Sequence, residues 1–399
     1  VFGALPDAPR GASPEAPLRG GTGTAVLLGT RFRPADNQPL AEGVRAAVRR
    51  GGRLVLVHLG AGGASLIRAA MSENRALRGL SIELPAQPAV AALRTAATLA
   101  TGDLSTATEL RVDQQGRVTG TGWRPVRLPD PLPDGAGPGV AVITGGLGGL
   151  GIRAAAVLAQ RDRLHPVLVD RRSPDDRPAA VRRYLRCLAD GPTGVSVRTA
   201  DVTVPASAAA ALTDLPGPVS VLVHCAGVMC HGPASRYTPV ELAEAQAVKV
   251  AGLRHILAGT DPARLRSLVV FGSMLADRDP HTLGGYALAN ELLARAAAVA
   301  STGLPHTATV VAQWSIWAGA GMAHDLGVVG QARAMNLVPV ALRPGLQALR
   351  QLVSGGVTGR LLLLGHDTGE EGKRGEGAAI PGEYVRHGWG WGLAWQVTA

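Results

Sequence analysis

Aromatic side chains are scarce in this sequence: Phe, Trp and Tyr together make up 3% of its 399 residues. So few rings argue against a ring-laden barrel and against a surface that stacks on nucleic-acid bases, and leave Ala, Val and Leu to fill the core. Lysine is rarer still. Of 40 basic residues only Lys249 and Lys373 are lysine. Three cysteines (Cys187, Cys225, Cys230) cannot make a disulfide framework, and no pair has the CxxC spacing of a zinc site. No apolar run approaches the ~20 residues of a membrane span. The start, VFGALPDAPRGASPEAP, lacks the charged head and apolar stretch of a secretory signal. These absences predict a soluble protein of a reducing, cytoplasmic setting, with no metal centre and no membrane contact.

What is present is core-forming. Apolar residues reach 46% against 18% charged, and 53 glycines and 28 prolines fit a loop-rich α/β protein. The length suits about two to three domains. The formal charge is +10, but apart from Arg171, Arg172, Arg177, Arg182, Arg183 and Arg186 the arginines are scattered. That distribution reads as a composition bias, with an acidic protein partner as the alternative and nucleic acid disfavoured.

Residues 1–20 read as a Pro/Gly/Ala linker. A first α/β block follows over 21–128, with strands at Ala25–Gly29, Leu54–Leu59, Leu80–Leu84 and Thr108–Val112. Helical patterns occupy Leu40–Arg50, Ser65–Arg78 and Ala89–Ala100. No glycine-rich turn follows its first strand, so this block is expected to hold no cofactor. Residues 129–138 (PDPLPDGAGP) form a second linker. Beyond it, over 139–365, strands at Val140–Ile143, Pro166–Val169, Val195–Thr199, Val219–Val223, Ser267–Phe271, Thr307–Val311 and Leu361–Leu364 alternate with helices. The helices are placed at Leu150–Gln160, Ala179–Ala189, Ala206–Leu212, Pro239–Ala258 and Tyr286–Ser301. This alternation predicts a doubly wound parallel sheet covered on both faces, with ligands at the carboxyl ends of its strands. Residues 366–399 are a glycine-rich, tryptophan-bearing tail.

The strand at Val140 runs into TGGLGGLG at 144–151. Glycines let the backbone approach a pyrophosphate, and a helix N-terminus offers free N–H donors to it. Thr144, Gly145, Leu147, Gly149, Leu150 and Gly151 are therefore expected to hold a dinucleotide. The second strand ends Asp170-Arg171-Arg172. An acid there accepts from adenosine ribose hydroxyls, whereas arginines pair with a 2′-phosphate. Two arginines favour NADPH over NADH, but Asp170 leaves the choice open. Small residues Cys225, Ala226 and Gly227 end another strand where backbone would lie against the nicotinamide ribose. Ser273 ends the next. Tyr286 follows thirteen residues later, on one helical face with Asn290.

With TGGLGGLG, DRR at 170–172, ADV at 200–202, HCAG at 224–227, Lys249 in VKVAGL, Ser273, and Tyr286 with Asn290, the sequence resembles a ketoreductase domain of a modular type I polyketide synthase. That family lies within the short-chain dehydrogenase/reductase superfamily. Most members of the superfamily place Lys four residues after the Tyr; polyketide ketoreductases carry Asn there and move the lysine to the preceding long helix, as Asn290 and Lys249 do here. The resemblance covers roughly 25–365. It implies a Rossmann-like catalytic subdomain preceded by a truncated, cofactor-free structural one, and adds Asp201 and Val202 to the cofactor site. Arg68–Leu84 looks like the family's helix-to-strand passage, and Gln313–Met322 like the segment entering a substrate lid at Met322–Leu337.

The implied reaction is NADPH-dependent reduction of a β-ketoacyl thioester, carried on an acyl carrier protein, to the β-hydroxyacyl thioester. Tyr286 would be proton donor, Ser273 the hydroxyl that orients the carbonyl, and Lys249 the ammonium supporting tyrosine and cofactor ribose. Asn290 would position the lysine or a relay water. A nearby ammonium and a cationic nicotinamide are expected to bring the tyrosine pKa toward the working pH. Two rivals are a stand-alone short-chain dehydrogenase acting on a free ketone and an inactive nucleotide-binding scaffold. The family's stereochemical markers are missing: Met229-Cys230-His231 replaces the Leu-Asp-Asp of one class, and Arg278 the Trp of the other.

Overall fold

The computed structural model describes residues 23–102, 109–131, 139–278, 280–325, 327, 329, 338–365 and, for backbone only, 393–398. The expected linker at 1–20, most of that at 129–138, the glycine-rich part of the tail and most of the expected lid lie outside the described residues.

The amino-terminal block forms a five-stranded sheet in the order β1 (Gly23–Leu28), β2 (Gly52–His58), β3 (Leu77–Glu83), β4 (Glu109–Val112), β5 (Val118–Thr119). The first four strands run parallel. Helices α1 (Asn37–Arg50) and α2 (Ala64–Glu73) cover one face, and α3 (Val90–Thr101) packs on the other through Ala92 and Ala96. The helix expected to reach Arg78 stops at Glu73. Asn74 leaves the helical region with φ −135°, and its side-chain oxygen accepts the Ala76 N–H, a local bond that competes with the helix ladder.

The second sheet has nine strands. Seven are parallel, in the order β9 (Ser196–Thr199), β8 (His165–Asp170), β7 (Val140–Thr144), β10 (Val219–His224), β11 (Ser267–Ser273), β12 (Ala308–Trp314), β15 (Gly359–Leu364). Their period-two alternation feeds two cores. Ile143, Val223 and Phe271 face α4 (Gly151–Asp162) and α11 (Leu342–Ser354), while Val142, Leu222 and Val270 face α8 (Gly252–Ala258) and α9 (Gly284–Thr302). A short strand pair, β13 (Trp317–Ala318) and β14 (Val340–Ala341), lies apart.

Two strands of the nine-stranded sheet sit where the sequence did not place them. β6 (Gly122–Val126) comes from the stretch assigned to the first block, and β16 (Leu393–Thr398) from the stretch assigned to the tail. Both join the second sheet: β16 pairs antiparallel with β15, and β6 antiparallel with β16. Pro125 explains why β6 is the outermost strand, since proline cannot serve a ladder on both sides. The boundary at 128 and the tail from 366 are corrected accordingly.

Helix α9 joins the two halves. Leu293, Ala294 and Ala297 pack on the nine-stranded sheet, and Leu288 and Leu292 pack among α1 and α2. No described helix is long and apolar enough to cross a membrane.

Candidate active site

The strand order reverses between β7 and β10, so a crevice opens at their carboxyl ends. The glycine turn lines one wall. Gly145 has φ +66°, and a Cβ there would stand 3.0 Å from the Ala226 nitrogen; a Cβ on Gly151 would overlap the Gly145 carbonyl. Only glycine permits this turn. It brings the N–H groups of Gly149 and Leu150 to the mouth of α4, where they donate to no backbone carbonyl among the described residues. Gly321, on the segment after β12, comes against Gly149. The turn thus offers free donors and a Cβ-less surface, which fit a dinucleotide pyrophosphate.

Asp170 does other work than the sequence allotted to it. One carboxylate oxygen accepts the Leu147 N–H at 3.1 Å; the other accepts the Arg172 N–H at 3.1 Å and pairs with Arg177. The carboxylate is spent on bracing the glycine turn. Arg171 and Arg172 are exposed beside it. Asp201 closes its own turn on the Thr203 N–H and hydroxyl, which, followed by weaker help from Arg171, hold its carboxyl below the usual range. Val202 is buried under Gly252.

The second wall carries the polar cluster. Ser273 ends β11 and caps the short turn Met274–Ala276, its Oγ accepting the Leu275 N–H at 3.3 Å. Tyr286 lies in the first turn of α9. Burial pushes its phenol pKa up, and the side chains of Asn290 and Ser273 hold it partly back. Lys249 is 3% exposed, donates to the Phe271 carbonyl at 3.1 Å, and stands 5.9 Å from the Tyr286 ring centre. Burial lowers its pKa to about 8. A Cβ on Gly227 would come within 3.1 Å of Lys249 Cε and Nζ, so the HCAG glycine makes room for the ammonium.

Phenol, hydroxyl and ammonium therefore converge. In the protein alone burial is the largest influence on the tyrosine and raises its pKa, with the Asn290 and Ser273 side chains opposing it. Asn290 forms no described bond to Lys249; its amide donates to the Tyr286 carbonyl at 2.8 Å, and its buried Oδ1 has no partner. The helix expected as one span from Pro239 to Ala258 is divided: α7 (Pro239–Gln246), a π turn (Ala247–Ala251) that holds Lys249, and α8.

Several residues around the site were not singled out from sequence. Glu291, one position past Asn290, accepts from the Gly63 and Ser65 N–H groups at 2.8 Å each and from the Ser65 hydroxyl at 2.6 Å, at the start of α2. Arg68 on α2 donates to the Ala276 carbonyl and pairs with Glu109. Glu73 accepts from the Ala234 and Thr282 N–H groups at 2.7 and 3.0 Å. The first block thus grips both the Ser273 turn and the Tyr286 helix. Cys230 lies against Gly285, and burial, then Glu241 and Glu244, lift its thiol to about 11, which opposes its ionisation. His231 meets the Thr282 hydroxyl at 3.1 Å.

A doubly wound sheet with a glycine turn at its switch point and this cluster at its carboxyl edge defines the short-chain dehydrogenase/reductase class of oxidoreductases. Residues 139–319 match the family model described as KR domain. The chain is 32% identical over 319 residues to the pikromycin polyketide synthase component PikAIII of Streptomyces venezuelae, covering 77% of this chain and 18% of that protein. It is 34% identical over 195 residues to erythronolide synthase EryA3 of Saccharopolyspora erythraea, covering 47% and 6%. Among solved structures, a ketoreductase domain from the bacillaene assembly line superposes with a TM-score of 0.71 at 21% identity, covering 88% of this chain and 94% of that one. An A1-type ketoreductase gives 0.66 at 26%, covering 82% and 72%. Residues 139–319 thus form a KR domain, similar to the ketoreductase domains of polyketide synthases, a family that uses a nicotinamide cofactor, and the chain spans 18% or less of the length of these synthases.

Proposed function

We propose that the chain reduces a β-ketoacyl thioester, presented on the phosphopantetheine arm of an acyl carrier protein, to the β-hydroxyacyl thioester with NADPH. The observation that carries this reading is the convergence of Tyr286, Ser273 and Lys249 beside the glycine turn. A bound NADPH supplies the hydride. As hydride reaches the ketone carbon, negative charge grows on the oxygen, and a donor placed there lowers the barrier. The Ser273 hydroxyl orients the carbonyl; the Tyr286 phenol, kept protonated by burial, gives its Oη proton to the oxygen. Lys249 steadies the ribose and the phenolate left behind. Asn290 Oδ1, buried without a partner, is the acceptor for a relay water that returns the proton.

Support for NADPH comes from Asp170. With its oxygens committed to Leu147, Arg172 and Arg177, it has little capacity for a ribose diol, while Arg171, exposed beside it, can pair with a 2′-phosphate. The test is NADPH oxidation with a β-ketoacyl thioester. Turnover that falls by about 10²–10⁴-fold in Tyr286→Phe is expected; no turnover above background, where fluorescence shows cofactor bound, removes the reductase reading.

A further inference from the structure

π turns occur mostly as single widened turns inside α-helices, and often at functional sites. Here one spans Ala247–Ala251 with Lys249 at its centre. A widened turn has to be held, and the structure shows what holds it. His224, the last residue of β10, is fully buried. Its Nε2 lies 2.9 Å from the Lys249 carbonyl oxygen and its Nδ1 2.8 Å from Thr144 Oγ1. A carbonyl only accepts, so Nε2 carries the proton and Nδ1 is bare. The Thr144 hydroxyl must then donate to Nδ1, and it also accepts the Ala226 N–H at 3.2 Å. Each proton in this chain has one place to go.

Burial, followed by the Lys249 charge, lowers the imidazole pKa to about 3. The ring is neutral at working pH and both nitrogens are occupied, so it cannot shuttle a proton. We propose that His224 is a positioning residue: it pins the carbonyl of the π turn to the glycine-turn threonine and so aims the Lys249 ammonium into the cofactor crevice. The chain of bonds couples the two walls, because Thr144 opens the phosphate turn and Lys249 faces Tyr286. This inference rests on Lys249 being the working lysine of the proposed reaction. The titratable groups beside the ammonium are the Cys225 thiol, the His224 ring and the Tyr286 phenol; burial raises the thiol and phenol, so all three are neutral.

The sequence makes the test direct, since Lys249 shares the chain with one other lysine. In the full chain labelled with ¹³Cε-lysine, the Lys249 resonance is expected to titrate near 8. In His224→Phe, which keeps bulk without hydrogen bonds, the midpoint is expected to rise by about one pH unit or more toward the ~10.4 of a solvated lysine. NADPH affinity, by fluorescence, should fall about tenfold. His224→Gln, with one donor and one acceptor, should retain much of both. If His224→Phe does not fold, ¹⁵N-histidine spectra of the unaltered chain and of a His58→Asn variant, which removes the other buried ring whose Nδ1 accepts, decide: a ring with protonated Nε2, bare Nδ1 and no titration between pH 5 and 8 that persists in the variant supports the role. A titrating ring, or a folded His224→Phe with unchanged lysine midpoint and cofactor affinity, overturns it. The resonance readings need no turnover, so they stand apart from any failure of the reductase reading.

Discussion

At Gly227 a single methyl group separates two outcomes. The Cβ of an alanine would press on Lys249 Cε and Nζ at 3.1 Å, tighter than ordinary contact, and the ammonium would have to shift against its bond to the Phe271 carbonyl. Gly227→Ala should therefore lower kcat and cofactor affinity by about tenfold, and lower the melting temperature as well, since overpacking of this kind costs about 1–3 kcal/mol. Steady-state kinetics beside a melting curve separates the two. Arg171 is the complementary case. It is exposed and lies within electrostatic reach of Asp201. If it pairs with a 2′-phosphate, Arg171→Ala should weaken NADPH by about 10–100-fold, the worth of a charge-assisted bond, and leave NADH almost untouched. Equal losses for both cofactors in a fluorescence titration would contradict that pairing.

Among the elements, α9 shows how much of the site could be read in advance. Tyr286 and Asn290 were legible because spacing puts them on one helical face, and the glycine turn because a strand precedes it and a helix follows. Glu291 was not: one position past Asn290, in an apolar helix, it looks like an ordinary solvated charge until the fold brings Gly63 and Ser65 to it from more than two hundred residues away. The π turn at Lys249 was equally hidden, because no local residue in Ala247–Ala251 is a helix breaker and the contact to its carbonyl comes from His224 on a distant strand. Burial opposes ionisation of Glu291, but Arg295, Arg68 and the Ser65 bonds overcome it and hold the carboxyl well below the usual carboxylate range. Its folded pKa thus lies below the ~4.3 of an unfolded glutamate. The stabilisation it gives is present above ~4.3 and is lost as pH falls through the lower folded value. Glu291→Ala should cost about 1–3 kcal/mol in urea unfolding at neutral pH, since the buried Gly63 and Ser65 N–H groups lose their acceptor while Arg68 and Arg295 keep Glu109 and Glu83. Below pH 3 the gap between the two proteins should narrow. A constant difference across that range would show that the carboxylate is not what matters.

Across the whole molecule, the nine-stranded sheet is closed at one side by segments from both ends of the ketoreductase region. β16 lies between β15 and β6, and the Arg360 guanidinium of β15 stacks 5.3 Å from the Trp123 ring of β6 while pairing with Asp277 at 3.3 Å. Met274, directly after Ser273, packs with Leu362, and Trp123 packs against that pair. The outer strands therefore brace the turn that carries the Ser273 hydroxyl. They also cover the edge of β15, whose unpaired backbone groups would otherwise offer a template to another chain. Ending the protein after Gly365 removes β16 and strips β6 of its partner. The shortened protein should still bind cofactor, because the glycine turn and β7–β10 crevice lie on the far side of β11 and β12. Its Tm should drop, by about 2–4 °C for each kcal/mol lost, and light scattering should show self-association that rises with concentration. Turnover should fall more than cofactor affinity, as the Ser273 turn loosens. A shortened chain that stays monomeric, melts with the parent and reduces substrate at the same rate would show that the sheet ends functionally at β15.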